Sequence, residues 1–340
     1  MKKILCLHEN YNAVNTYRLH RFLDTVKNKV TKQSYLNKKR RTVGDISKSL
    51  LSKGEIWIAK YLPNNPNHNA NFIATLISAK RIASTIKKVK LVVDFDDDIW
   101  SIPISNPTFW HFKENIGSLS YLAQEADVVT CSTQPLANVL KKYNKNVKVI
   151  KNVIDPKDWT IKKKKNRKVR IGWIFSITHI GDIKAVEQAL TEIMEEYKDR
   201  VEFILMGGAN GLFPFDYKFT NGVHYCDYSK TLQKVNLDIS ICPLANNTFN
   251  ESKSNIKWLE SSMAGAVVVA SKVYPYEHSI KNGKTGFVCG SKNQWKNALK
   301  KLIESEELRK TIVKNAQEEI LKNYNIENEK EEYQKFIDTL

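Results

Sequence analysis

Glu251-Ser252-Lys253-Ser254-Asn255-Ile256-Lys257-Trp258-Leu259-Glu260 is followed by the small-residue run Ser261-Ser262-Met263-Ala264-Gly265-Ala266 and the apolar Val267-Val268-Val269-Ala270. Lys253, Lys257 and Glu260 recur at helical spacing, which predicts one shared face near a helix start. Gly265 ends the helix, and the β-branched run after it reads as a buried strand. A helix start favours anions through its unpaired N–H groups and its dipole. Two lysines there suit a diphosphate, and a carboxylate one turn on suits a ribose diol.

The same helix-to-strand alternation extends in both directions. In the first half, Ile4 to Leu7, Ile56 to Ala59, Leu91 to Phe95, Val128 to Cys131 and Val147 to Ile150 read as short buried strands. Helical patterns at Asn71 to Lys87, Gly117 to Ala126 and Gln134 to Tyr143 separate them. The second half repeats the pattern, with strands expected at Val169 to Ile174, Val201 to Met206, Leu237 to Ile241, Val267 to Ala270 and Thr285 to Val288. Asp182 to Tyr197 reads as an amphipathic helix capped by Asp182, and the chain from Gln294 onward as helical. Alternation of this kind gives parallel sheets covered by helices on both faces. The expected architecture is α/β: two doubly wound, Rossmann-like domains facing a cleft. One spans 1–160 and the other 166–322, and a helix from about 323 to 340 would pack back on the first. Ligands in such sheets bind at the carboxyl ends of the strands.

Composition narrows the function class. A chain of 340 residues with 42% hydrophobic and 26% charged residues is long enough for two packed cores and is not a disordered chain. No apolar run approaches the ~18–20 residues of a membrane span. The start, Met1-Lys2-Lys3 before Ile4-Leu5-Cys6-Leu7, breaks at His8-Glu9-Asn10 and reads as a first strand rather than a signal peptide. Five scattered cysteines have no metal-ligand or redox spacing, so reduced buried thiols in a cytoplasmic protein are expected. The net charge of +18 fits an anionic partner, whether nucleotide, nucleic acid or acidic lipid surface. Lys38-Lys39-Arg40-Arg41 and Lys162 to Lys165 are its densest clusters, and the second reads as a solvated interdomain linker.

At this point the residues resemble a family. Lys253 to Glu260 with Gly265, followed by Gly283-Lys284-Thr285-Gly286-Phe287-Val288, is similar to the donor-site signature of GT-B glycosyltransferases of the family 4-like, group 1 type. Ile171 to Asp182 resembles the first strand-loop-helix of their donor domain. Ser132 to Leu136 and Asn152 to Asp155 resemble further landmarks in the same order. The resemblance implies an enzyme that transfers a sugar with retention from a nucleoside-diphosphate sugar, a UDP-sugar being favoured, without a metal held by protein carboxylates. Carried onto this sequence, it puts Lys253 on the donor phosphates, with Ser254 and Lys257 beside it, and Glu260 on the ribose. Ser176, Thr178 and His179 would face the diphosphate, and Tyr274 and Tyr276 the base or sugar. Two departures stand out. Many relatives carry a glutamate eight positions before the ribose-binding one, where this chain has Ser252. Either Glu251 takes over or the sugar is held differently, so Glu251, Lys253 and His179 are the catalytic candidates. The basic residue usual after the donor domain's first strand is also missing, leaving only His179.

Asp94-Phe95-Asp96-Asp97-Asp98-Ile99-Trp100 follows a strand and has carboxylates at a spacing that could hold Mg²⁺ or Mn²⁺ with donor phosphates. Its place in the first half favours an acceptor cleft built from Asp96, Asp97 and Asp98, with a metal at Asp96 and Asp98 as the alternative. Trp100 and Trp110 would suit stacking on a sugar or base. His8, Asn10 and Arg18 would line the same cleft, with Arg18 and Arg21 on the next helix within reach of a phosphate. Gly207 to Gly211 lacks the glycine spacing of a dinucleotide loop and reads as a turn near the donor base. The acceptor expected is a glycan or glycolipid, with peripheral contact at the inner membrane face. Hydroxylated bases of DNA, a catalytically inactive sugar-nucleotide-binding relative and an epimerase on the same scaffold are the alternatives.

Overall fold

The computed structural model describes residues 1–8, 16–34, 50, 53–60, 66–86, 88–161 and 165–340. Asn10 and the Lys38 to Arg41 cluster lie outside the described residues.

Two six-stranded parallel sheets account for the strands. The first contains β1 (Ile4–His8), β2 (Val30–Ser34), β3 (Ile56–Lys60), β4 (Lys90–Phe95), β5 (Val128–Cys131) and β6 (Val147–Val149), in the order β2-β1-β3-β4-β5-β6. The second contains β7 (Val169–Phe175), β8 (Val201–Gly207), β9 (Lys218–Thr220), β10 (Ile239–Cys242), β11 (Val267–Ser271) and β12 (Phe287–Cys289), in the order β12-β11-β10-β7-β8-β9. Counted within its own domain, the second sheet has the 3-2-1-4-5-6 order of a dinucleotide-binding sheet, with its switch point between β7 and β10.

The ten expected strands are all present within a few residues; the eight inside the sheets read as apolar runs because both their faces are covered, and β6 and β12 are partly buried edge strands. Two edge strands carry no such signal. Val30–Ser34 reads VTKQS and Lys218–Thr220 reads KFT, since an edge strand is only half covered.

The helices in chain order are α1 (Arg21–Leu23, led by a π-turn at Thr16–His20), α2 (Pro66–Ile86), α3 (Phe109–Glu125), α4 (Gln134–Leu140), α5 (Glu187–Glu196), α6 (Tyr225–Val235), α7 (Thr248–Glu251), α8 (Ile256–Met263), α9 (Tyr274–Glu277), α10 (Lys292–Glu304), α11 (Glu306–Asn323) and α12 (Ile326–Thr339). The helix expected from Asp182 splits into a 3-10 turn, Ile177–Ala185, and α5. Asp182 does not cap it. The carboxylate is buried and accepts from the Ala245 amide and the Asn250 side chain, both at 2.9 Å, so tertiary contacts outcompete the capping role.

Each sheet has a core on both faces. Leu91, Val93 and Phe95 pack with α2 and α3 on one side of the first sheet. On its other side Ile4, Cys6 and Phe22 meet Tyr333, Phe336 and Ile337 of α12. The chain therefore crosses back after α11. The crossing is tied to the interdomain segment by Ile154 N to Tyr324 O at 2.8 Å and Ile326 N to Ile154 O at 3.0 Å. Burial pushes the thiols of Cys6, Cys131, Cys242 and Cys289 up to about 12, as expected of packing residues rather than reactive ones.

Candidate functional site

The carboxyl ends of β7 and β10 meet at the switch point of the second sheet. The loop after β7 carries Ser176 to Asp182, and the loop after β10 leads through α7 into α8. Helix α8 is fixed against the sheet by small residues and one large one. Ser261 Oγ lies 2.9 Å from Ser240 Oγ on β10, a contact that no bulkier pair would permit. Trp258 is fully buried and donates from Nε1 to Thr285 O at 3.0 Å. The helix ends in a left-handed turn at Gly265 (φ +88°), with Gly265 N on Ser262 O and Ala266 N on Ser261 O, both at 3.0 Å. This paired closure is the reason the small-residue run carries a glycine there.

Lys253 lies outside α8, in the turn between α7 and α8, so only Lys257 and Glu260 share the helix as the spacing predicted. The Asn255 side chain does not cap α8. It donates instead to Ser279 Oγ at 2.9 Å, so it leaves the first-turn amides to other acceptors. Lys253 Nζ sits 4.3 Å from the Phe249 ring centroid and 3.1 Å from Asp97 Oδ1 of the first domain. Three more contacts seat this turn on the first domain. Thr133 Oγ1 donates to Ser252 O at 2.7 Å, Asn152 Nδ2 donates to Ser254 Oγ at 2.9 Å, and Phe249 is buried in the first domain's core.

Glu260 is 3% exposed and accepts three hydrogen bonds: Tyr17 Oη on Oε1 at 3.0 Å, and Tyr228 Oη and Lys257 Nζ on Oε2 at 2.9 and 3.0 Å. Burial works against the Lys257 charge, but Glu260 and Tyr228 outweigh it and hold the ammonium above its usual range. Burial, with Glu260 second, raises Tyr17 and Tyr228, so both remain protonated donors.

His179 Nδ1 is 2.8 Å from Asp182 Oδ2. Burial lowers its pKa, the Lys253 charge lowers it further, and Asp182 opposes both. Near neutral pH the ring is therefore uncharged and faces the Lys253–Asp97 pair. Ser176 Oγ and Thr178 Oγ1 are 2.6 Å apart, and Thr178 O accepts from Asn106 Nδ2 of the first domain at 3.2 Å. Gly207 and Gly208 extend the same end of the sheet beside Phe175. A Cβ on Gly208 would stand 2.1 Å from the Phe175 ring, which explains a glycine at φ +55° there. Glu251 Oε2 accepts from the Tyr274 amide at 3.1 Å, and Tyr274 stacks on His278 at 3.9 Å.

Several sequence expectations shift. Tyr276 is 3% exposed and packs beside Cys242 in the core, so it lines no open surface. Arg18 does not line the cleft. Its guanidinium is buried, donates to Asp94 from Nε at 3.2 Å and from Nη2 at 2.6 Å, and continues to Asn152 Oδ1 at 3.1 Å and Ile150 O. Arg21 pairs with Asp158 and lies 4.5 Å over the Tyr17 ring. Asp96 accepts from Lys60 Nζ at 2.6 Å. Asp98 is fully buried, and its Oδ1 receives the Trp100 amide at 3.2 Å. Asp97 alone of the three carboxylates faces the second domain's lysine. Among the described residues no group of three His, Cys, Asp or Glu side chains is placed to hold a metal ion. Trp100 belongs to the core, stacked on Tyr143 at 4.6 Å with Nε1 on Ser120, whereas Trp110 is 64% exposed. His8 ends β1 in register with Ser34.

Sequence reasoning passed over Tyr17, Tyr228 and Asn106, and took Thr133 only as part of the Ser132 to Leu136 landmark. Tyr17, Asn106 and Thr133 each meet a second-domain partner across the cleft, and Tyr228 meets Glu260 from a separate helix of the same domain. A cavity of about 660 Å³ lined by Lys168, Met194, Phe203, Phe215 and Tyr217 lies at the opposite, amino end of the second sheet, away from these groups.

Residues 217–319 match the family model for glycosyl transferases group 1. An uncharacterized glycosyltransferase of Methanocaldococcus jannaschii is 22% identical over 256 residues, covering 69% of this chain and 64% of that protein. The chain thus spans just under two thirds of that relative. The solved structure of HepE from Anabaena, in complex with UDP and glucose, superposes with a TM-score of 0.69 at 15% identity over all of both chains. Sucrose-phosphate synthase of Thermosynechococcus elongatus gives 0.70 at 11% identity, over 99% of this chain and 98% of that one. Among the described residues no helix is long and apolar enough to cross a membrane. Residues 217–319 are thus similar to the glycosyl transferases of group 1, and over its whole length the chain has the GT-B fold of the solved glycosyltransferase structures.

Proposed function

We propose that the protein transfers a sugar, with retention, from a nucleoside-diphosphate sugar to a hydroxyl of a glycan or glycolipid, a UDP-sugar being the favoured donor. The observation that carries this reading is that Lys253, the start of α8 and Glu260 all lie on the segment that follows β10, beside the switch point between β7 and β10. Charge suits the ligand: an ammonium and a helix start for the diphosphate, and a carboxylate for the ribose hydroxyls. HepE, which shares the fold, was also solved with UDP-glucose.

In the transfer, the bond from the sugar C1 to the diphosphate oxygen breaks with its electron pair on the diphosphate. The acceptor oxygen bonds to C1 from the same face, and its proton passes to the departing phosphate oxygen. Charge accumulates on the diphosphate, so Lys253 and the α8 amides stabilise the transition state more than the ground state. Lys253 must leave Asp97 to do so. Uncharged His179 beside it can donate or accept a hydrogen bond without adding a second positive charge.

The test is UDP release from UDP-glucose, UDP-galactose and UDP-N-acetylglucosamine, followed with wild type and Lys253→Ala. Loss of one such anion-stabilising donor costs about 10²–10³ in turnover. Equal release by both proteins removes Lys253 from the mechanism. UDP binding with no release from any donor, whatever acceptor is added, favours a relative that binds sugar nucleotides without catalysis.

A further inference from the structure

Glu260 is a buried carboxylate whose hydrogen bonds come from two domains. Tyr228 and Lys257 belong to its own domain and share Oε2, while Tyr17 reaches across from the first domain to Oε1. A carboxylate offers about four lone-pair sites, two on each oxygen. Three are used, so among the described residues one remains, on Oε1. A ligand presenting one hydroxyl can take that site. A vicinal diol needs two, and one present donor must leave. Tyr228 and Lys257 are also bonded to each other at 2.9 Å and ride on the same domain as Glu260. Tyr17 is the donor whose departure breaks no contact within that domain.

We propose that Tyr17 is a specificity-determining residue of the nucleotide site, contributed by the opposite domain, whose hydroxyl occupies the place on Glu260 that the second hydroxyl of a ribose takes. Tyr17 is built for this position. Its ring lies under the Arg21 guanidinium at 4.5 Å and edge-on to Tyr225 at 5.8 Å, so the hydroxyl is aimed at the carboxylate rather than left to rotate freely. A ribonucleotide gains two hydrogen bonds to Glu260 and displaces one. A 2′-deoxyribonucleotide gains one and displaces none. The wild-type protein therefore discriminates weakly between them, and a protein lacking the Tyr17 hydroxyl discriminates strongly.

The inference rests on the nucleotide-site reading above, and the experiment separates the two. Dissociation constants for UDP and 2′-deoxyUDP are measured by calorimetry with wild type and Tyr17→Phe, each shown to be folded by a cooperative melting curve. ADP and GDP with their 2′-deoxy counterparts are run in parallel. The ratio of deoxy to ribo dissociation constants rises roughly three- to tenfold in Tyr17→Phe, through tighter ribonucleotide binding, as removal of one competing neutral hydrogen bond implies. An unchanged or smaller ratio with UDP still bound overturns the role of Tyr17 and leaves the nucleotide site standing. No binding of any nucleotide to the wild type overturns the site itself and this inference with it. Tyr17→Leu carries the same comparison should the phenylalanine variant fail to fold.

Discussion

Asp94 and Glu260 are both buried carboxylates near the cleft, 1% and 3% exposed, and each accepts from more than two donors. Their donors differ in origin. Asp94 is held by Arg18 through both oxygens, by Thr130 Oγ1 at 2.7 Å and by Lys60 at 3.6 Å, all from the first domain. Glu260 takes one of its three from the other domain. A carboxylate satisfied entirely within one domain is part of that domain's stability, because nothing can relieve it without leaving a buried charge. A carboxylate shared across a cleft can exchange a partner for a ligand at little cost to either core. The same contrast separates Asp96, bonded to Lys60 in its own domain, from Asp97, bonded to Lys253 across the cleft.

The largest effect expected from breaking this contrast is at Asp94. Asp94→Asn leaves Arg18 buried without its counter-charge and destabilises the protein by about 3–5 kcal/mol, the usual result of breaking a buried pair. Chemical denaturation measures it, while UDP affinity of the folded fraction stays near wild type. A loss under 1 kcal/mol would mean the pair is not the closed unit described above.

Glu260→Gln reverses the pattern. Stability falls less, because the amide oxygen can keep Tyr228 and Lys257 while the Tyr17 hydroxyl accepts from the amide nitrogen, and Lys257 is partly exposed. UDP binding weakens by about 10- to 100-fold, the range for hydrogen bonds to a charged group. Calorimetry and melting of the same variant sharpen the distinction. A large stability loss with unchanged UDP affinity would put Glu260 in the same class as Asp94.

The smallest effect is one of pH. The folded-state pKa of His179 lies below its ordinary 6.5. As pH falls through 6.5 the unfolded chain takes up a proton first, so stability decreases with falling pH until the folded-state pKa is passed. Lys253→Met removes the one charge that adds to burial in depressing the ring. Its His179 titration, followed by NMR, should move toward 6.5 and the pH dependence should shallow. A titration unchanged by Lys253→Met would show that burial alone sets it.

Much of the fold was legible because a strand buried on both faces has no polar alternation to hide it. Val267 to Ala270 and Leu91 to Phe95 announce themselves, whereas Val30–Ser34 and Lys218–Thr220 at sheet edges do not. Of the site, the motif around α8 was visible, since Lys257 and Glu260 owe their relation to helical spacing. Lys253 was placed on the wrong element because the turn before α8 continues the same charge periodicity. Arg18 and Asp182 were read as a cleft residue and a cap, roles that local sequence permits and long-range partners overrode.

The sequence by itself determined the two parallel sheets and the helical relation of Lys257 to Glu260, because each follows from residue spacing within one element. Only the tertiary structure decided which polar groups meet. The first-domain partners of Glu260 and Lys253 are 243 and 156 residues away along the chain, and no local pattern encodes a contact that exists only when two domains face one another.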